Sequence, residues 1–240
     1  MVRSGAAFTD VSLRHKRVRI LRGPQDAEVL REVARSLVGG GAATEVALDL
    51  RSPGPGPDVP AGPGEVAALL HVYGSAASSD PDRALAGLAG LAGLADLGGE
   101  EHGILERIVF DRRERPGQWD WTEGWIRIGT QVRRPHLDRA GFVAHWGGMH
   151  AELVRAHHPG AVRYTQSYRL WSSPGATEFD GFYESYFPTE ADWTDRLFDS
   201  AEGERLLSDD ADGFLQESGS ERLWVTKERF GLGWDEVLPA

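Results

Sequence analysis

The alternation of apolar and polar positions divides the chain into short segments of two kinds. Lys16–Arg22 (KRVRILR) alternates with a period of two and predicts a strand. Pro24 suits the first turn of a helix whose apolar stripe, Ala27, Leu30, Val33/Ala34 and Leu37, recurs at helical spacing. Ala43–Arg51 predicts a second strand, Glu65–Tyr73 a third and Ile104–Arg112 a fourth. Ser52–Pro63 (SPGPGPDVPAGP) can continue neither a strand nor a helix and is a loop. A second helix is expected over Asp80–Leu97, where LAGLAGLAGLADL repeats Leu85, Leu88, Leu91, Leu94 and Leu97. A three-residue period drifts slowly round a helix, so this repeat reads as packing rather than as a binding motif.

The same order recurs in the second half. Trp125–Val132 predicts a strand, Leu137–His158 a helix and Val162–Leu170 a strand. The loop SSPGATEF follows, then a strand over Asp180–Phe187. Thr189 caps a helix expected over Glu190–Leu207, and Glu221–Phe230 supplies the last strand. Each half has the order β-α-β-β-α-β, the ferredoxin-like arrangement, whose four-stranded sheet carries helices on one face and needs cover on the other. The expected fold is therefore α+β. Two ferredoxin-like units, residues 14–115 and 121–232, pack sheet to sheet as an intramolecular pseudo-dimer, with the junction around Pro116–Asp120. The halves share element order but little residue identity.

Composition narrows the chemistry. A formal net charge of −11 with no dominant Lys/Arg block argues against a nucleic-acid partner. The densest basic run, Arg14, Lys16, Arg17, Arg19 and Arg22, reads as a solvated strand face. Cysteine is absent, which removes disulfides, thiolate nucleophiles and Cys-based metal sites. No apolar run approaches membrane-spanning length and no signal-peptide core is recognisable, so a cytoplasmic protein without a membrane partner is expected. Of 22 aromatic residues, 19 lie at or after Trp119, which predicts that the ligand pocket is in the second half.

The most informative segment is Phe142–Leu153, FVAHWGGMHAEL. On a straight α-helix Phe142, Trp146, Met149 and Leu153 form one buried stripe. His145 and His150 fall on opposite shoulders of it, about 140° apart. Histidines at i and i+5 do not match the i, i+4 spacing of a helical zinc site. His157 shares a face with His150 but lies about 10 Å further along the axis, too far for one metal. A nucleophile elbow, a dinucleotide fingerprint and a phosphate-binding loop are also missing, so no metal or cofactor is expected. Gly147-Gly148 costs about 1 kcal/mol per residue in a helix and permits close approach or a kink. An imidazole at the edge of a core is desolvated on one side and can exchange a proton on the other, the position of a general acid or base.

Leu137-Asp138-Arg139-Ala140-Gly141-Phe142-Val143-Ala144-His145-Trp146-Gly147-Gly148-Met149-His150 resembles the L-x-x-x-x-F-x-x-H-W-x-x-x-H signature of the EthD family. Asp180-Gly181, Ser200-Ala201-Glu202-Gly203-Glu204, Leu206-Leu207, Asp209-Asp210 and Phe214-Leu215 extend the likeness. The first half lacks the motif and looks like a degenerate EthD-like unit, with His71 a structural polar residue. The resemblance implies the dimeric α+β barrel fold. It also implies a small aromatic or polyketide-like substrate held between sheet and helices, and a cofactor-independent cyclisation, dehydration or decarboxylation with His145 and His150 as proton carriers. A cofactor-independent monooxygenase and a non-catalytic accessory protein are the alternatives it leaves.

Strand alternation puts Tyr164, Gln166 and Tyr168 on one face, which suits either a flat ligand or the core. Glu184 shares a face with Phe182 and Tyr186 and can orient an imidazole or pair with a cation. Trp146 and Trp193 complete the candidate binding set, Trp193 as a closing wall or as core.

Overall fold

In the computed structural model, which describes residues 13–40, 43–52, 64–74, 97–112, 124–216 and 221–231, the period-two segments become eight strands that close into one barrel. The first half supplies β1 (Leu13–Arg22), β2 (Glu45–Ser52), β3 (Val66–Tyr73) and β4 (Glu100–Asp111). The second supplies β5 (Trp125–Gln131), β6 (Arg163–Ser172), β7 (Gly181–Phe187) and β8 (Arg222–Gly231). The order round the barrel is β1-β3-β2-β8-β5-β7-β6-β4. Antiparallel ladders β2·β8 and β4·β6 join the halves edge to edge, so no strand of the barrel is left with an open edge. The Asp80–Leu97 helix (but for its last residue), most of the Ser52–Pro63 loop and the Pro116–Asp120 junction lie outside the described residues.

Helices pack on the outer face. α1 (Ala27–Gly39) starts at Asp26, whose carboxylate accepts from the backbone N–H groups of Glu28 and Val29. It buries Leu30, Ala34, Leu37 and Val38 against Val46, Leu48, Ala68, Leu70 and Val72. The inward rows of the strands bring Val18, Ile20, Leu69, Ile104, Ile126, Ile128, Phe182 and Val225 together as a second core. On the expected Glu190–Leu207 helix the structure differs. The chain forms α4 (Glu190–Thr194), closed by a reciprocal Thr189–Asp192 cap, then restarts at Ser200 as α5 (Ala201–Phe214). The break lets the Arg196 carbonyl accept from the Gly160 N–H at 2.8 Å. No described helix is long and apolar enough to cross a membrane.

The basic run of β1 corrects a second expectation. Alternation sends Arg17 and Arg19 outward, where both pair with Glu101. Lys16 points inward and is fully buried. Its ammonium lies 2.5 Å from Glu106 and 3.3 Å from Glu184, and Lys227 pairs with Glu184 and, at 3.4 Å, with Asp49. Burial opposes ionisation of Glu106, but Lys16 outweighs it and holds the group at about 2. Burial likewise opposes Glu184, and Lys227 with Lys16 keeps it well below the usual carboxylate range.

A buried histidine, His102, and a half-buried one, His158, make the fold acid-sensitive. Burial pushes His158 down to about 4, and the neighbouring His150, Arg112 and His157 push the same way. Burial also lowers His102 to about 4, against the opposing pull of Glu100. An unfolded histidine titrates near ~6.5, so between that value and about 4 the unfolded chain binds more protons. Stability is therefore complete above pH ~6.5 and falls as the pH drops through this window. Thermal melts between pH 7 and pH 4 should show this decline, and His158→Asn should flatten part of it. An unchanged slope in the variant would refute the assignment.

Candidate functional site

The motif helix starts at Asp138, whose carboxylate accepts from the Gly141 N–H at 2.6 Å. It runs as α2 (Arg139–His145), passes through a single π turn at Trp146–His150, and continues as α3 (Ala151–His157). A π turn accommodates one more residue than an α turn and is usually confined to one turn, often at a functional site. Here it coincides with the two weak helix formers Gly147 and Gly148. Gly147 also allows close approach. A β-carbon there would lie 2.9 Å from the Tyr168 hydroxyl and 3.1 Å from the Arg107 guanidinium, and the Gly147 carbonyl accepts a hydrogen bond from Arg107.

The extra residue changes the phase of everything after it. Phe142 and Trp146 are fully buried, in line with the straight-helix pattern, but Met149 is 63% exposed and leaves the expected stripe. The same shift corrects the placement of the histidines. Instead of standing on opposite shoulders, His145 and His150 converge on one carboxylate of α5. His145 Nε2 lies 2.7 Å from Asp210 Oδ1, and His150 Nδ1 lies 2.8 Å from Asp210 Oδ2. The Phe214 ring, one turn further along α5, packs against both imidazoles at centroid distances of 4.7 and 5.0 Å.

Electrostatics favours a charged Asp210. Burial opposes its ionisation, but the hydrogen bonds from His150 and His145 overcome that and keep its pKa below the ordinary aspartate value. The carboxylate side chain is only 6% exposed, whereas the His145 and His150 side chains keep 32% and 13%. The arrangement is a buried anion presenting two partly accessible imidazoles.

Trp146, Tyr164, Gln166 and Tyr168 meet in the layer between this helix and the sheet. Gln166 Nε2 donates to the Trp146 carbonyl at 2.7 Å, and the Tyr168 hydroxyl donates to Gln166 Oε1 at 2.6 Å. Trp146 Nε1 donates to the Tyr164 hydroxyl at 3.3 Å. Burial raises both tyrosine pKa values, so both stay neutral donors. Gly181 completes the fit, because a β-carbon there would come within 2.6 Å of the Trp146 ring. This layer locks the motif helix to β6 and β7, and Arg107 of β4 adds a clamp from the first half.

The other two candidates lie elsewhere. Glu184 is on the inward face of β7, in the ion cluster with Lys16 and Lys227 and on the opposite side of the sheet from the motif. Trp193 stacks edge-on with Phe187 and Trp224 and carries the Arg127 guanidinium 4.5 Å above its ring. It also borders an open groove of about 650 Å³ shared with Leu197, Phe198 and Glu204.

Among the described residues, one acid–histidine group is close enough to share a metal: Asp49, His71 and Glu184, with ligand atoms within 4.8 Å of one another. His71 Nε2 is already bonded to Asp49 at 2.7 Å, and the cationic position is taken by the Lys227 and Lys16 ammoniums. A divalent ion beside them meets a repulsion of about 4 kcal/mol per unit charge at ~4 Å and intermediate dielectric. The donor set does not suit a metal. His71, with its pKa lowered by burial, is a neutral member of a structural network.

Asp210 and Arg107 are the functional residues that local pattern does not reveal. Asp210 lies within the Asp209-Asp210 pair of the motif's downstream part, but its role depends on the turn between α4 and α5. Arg107 depends on the β4·β6 register, which sets it opposite Gln166.

An eight-stranded antiparallel barrel with outer helices, and with its candidate catalytic groups on one of those helices, defines a mixed α+β barrel protein. Residues 134–218, across α2 to α5, match the EthD domain family model. A crystal structure described as an anthrone oxidase-like protein matches 96% of this chain and 97% of its own, with a TM-score of 0.58 and 13% identity. An EthD family protein from Bacillus halodurans matches 44% of this chain and 96% of its own, with a TM-score of 0.33 and 21% identity. A chlorite dismutase variant from Candidatus Nitrospira defluvii matches 90% of this chain and 92% of its own, with a TM-score of 0.42 and 10% identity. The full-length likeness rests on the first of these and concerns the fold. No curated protein matches the sequence.

Proposed function

We propose that this protein is a cofactor-independent enzyme of small-molecule metabolism. Its substrate is an aromatic or polyketide-like β-keto compound, and His145 and His150 move protons during cyclisation, dehydration or decarboxylation. The observation that carries this reading is the convergence of two partly exposed imidazoles on the single buried carboxylate of Asp210. Carboxylate-oriented imidazoles are effective proton carriers near neutral pH. Trp146, Tyr164, Gln166 and Tyr168 serve by holding the motif helix at a fixed height above the sheet, and substrate approaches along the exposed His145 edge. Trp193 and its groove remain a candidate wall for a larger ligand, and Glu184 belongs to the barrel interior. The reading includes a cytoplasmic setting and needs no bound metal or cofactor.

The proposal includes an internal pseudo-dimer. Residues 14–115 form a degenerate unit without the motif, and residues 121–232 form an EthD-like unit with the site. The strand order supports this: β4-β1-β3-β2 in the first half and β8-β5-β7-β6 in the second place the fourth, first, third and second strands in the same sequence.

The test is turnover of a panel of β-keto aromatic precursors by the purified protein, followed by mass of the product and by oxygen uptake. A product lacking water or carbon dioxide, or an isomer of the substrate, without oxygen uptake is expected. Oxygen uptake matched to turnover would reassign the site to an oxygenase. Ligand binding without any product would make the protein an accessory binder and overturn the enzymatic reading.

A further inference from the structure

The hydrogen bonds at Asp210 use different nitrogens of the two imidazoles. His145 addresses the carboxylate through Nε2, whereas His150 uses Nδ1. A carboxylate only accepts, so each bonded nitrogen carries its proton. When neutral, His145 therefore presents a basic Nδ1 to its surroundings, and His150 presents a basic Nε2.

We infer that Asp210 imposes opposite tautomers on His145 and His150 and holds one additional proton between them, so that they act as a base and an acid on the same substrate. This deepens the proposed function and rests on it for the substrate class. The trio with one imidazolium is neutral overall: one positive histidine, one carboxylate, one neutral histidine. A second proton would put two cations on one anion, and their mutual repulsion opposes it.

The coupling is local. On α5, Asp209 is engaged with Arg205 at 2.6 Å. On α3, Arg155 pairs with Glu152 at 2.6 Å, and His157 pairs with Asp199 at 3.1 Å. His158, half-buried just past the end of α3, is held below the ordinary histidine range by burial first and then by the neighbouring His150. Arg107 of β4 is held on the Gly147 carbonyl.

A reaction that suits this device takes a proton from one atom and gives one to another. In dehydration of a β-hydroxy ketone, one neutral imidazole takes the proton on the carbon next to the carbonyl. The electron pair forms the C=C bond, the C–O bond breaks, and the protonated imidazole delivers its proton to the departing hydroxide, which leaves as water. The trio begins and ends with one extra proton, now on the other histidine, and exchange with solvent restores the starting state. A pair that takes one proton and delivers another suits enolisation coupled to loss of water.

The tautomers can be read without a substrate. Long-range nitrogen–proton correlation spectra of the labelled full-length protein should show His145 protonated on Nε2 and His150 on Nδ1 at pH 7.5. Asp210→Asn should release the His150 tautomer toward Nε2–H. Wild-type spectra with both rings on Nε2–H would overturn the inference whatever the protein turns over. Correct tautomers with no turnover of any β-keto precursor would instead uphold the dyad and sink the proposed function.

Discussion

Replacing either His145 or His150 with alanine is expected to lower kcat by about 10²–10⁴-fold, the range over which positioned acid–base groups act. The loss should fall on kcat more than on KM, because proton transfer is made in the transition state and not in the bound ground state. Neither substitution should unfold the protein. His145 is a third exposed, and each ring shares Phe214 with other neighbours. Steady-state kinetics and a thermal melt on the same preparations separate the two effects. The two losses should not add in the double variant, since the residues act as one unit through Asp210. Two single variants with wild-type kcat would show that the histidines only tie α2 and α3 to α5.

Lys16→Met should be the most destabilising single change inside the barrel. Lys16 is fully buried and compensates two carboxylates, one from each half of the chain: Glu106 of β4 and Glu184 of β7. Removing one partner of a buried charge pair costs about 3–5 kcal/mol; Glu184 keeps Lys227, so the loss falls mainly on Glu106. For a domain of this size that corresponds to a fall of about 6–20 °C in Tm. Adding Glu106→Gln to Lys16→Met should recover part of the loss, so the double variant should melt above the single. A Lys16→Met Tm within about 2 °C of wild type would mean that the cluster is not what holds this end of the barrel.

These expectations draw on different levels of information. The strands were legible because inward and outward residues alternate: Lys16, Val18 and Ile20 face in, while Arg17 and Arg19 face out. The same alternation did not reveal that Lys16 is buried. Its charge becomes tolerable only through Glu106 and Glu184, which are 90 and 168 residues away in sequence. Alternation also sets Tyr164, Gln166 and Tyr168 on one face of β6. Whether that face met a ligand or a helix depended on the Trp146 ring, which fits against the backbone only because residue 181 is glycine.

The sequence by itself determined the order of the eight strands, the Thr189 cap of α4, the likeness of the motif helix to the EthD signature, and the choice of histidine as the candidate proton carrier. All of these follow from local periodicity and from the chemistry of individual side chains. Only the tertiary structure decided that His145 and His150 share one carboxylate. A five-residue spacing separates two side chains on an α-helix and brings them together across a π turn, and Gly147-Gly148 permits either. The choice was made by long-range contacts: the Arg107 clamp on the Gly147 carbonyl, Gln166 on the Trp146 carbonyl, and Asp210 on both imidazoles.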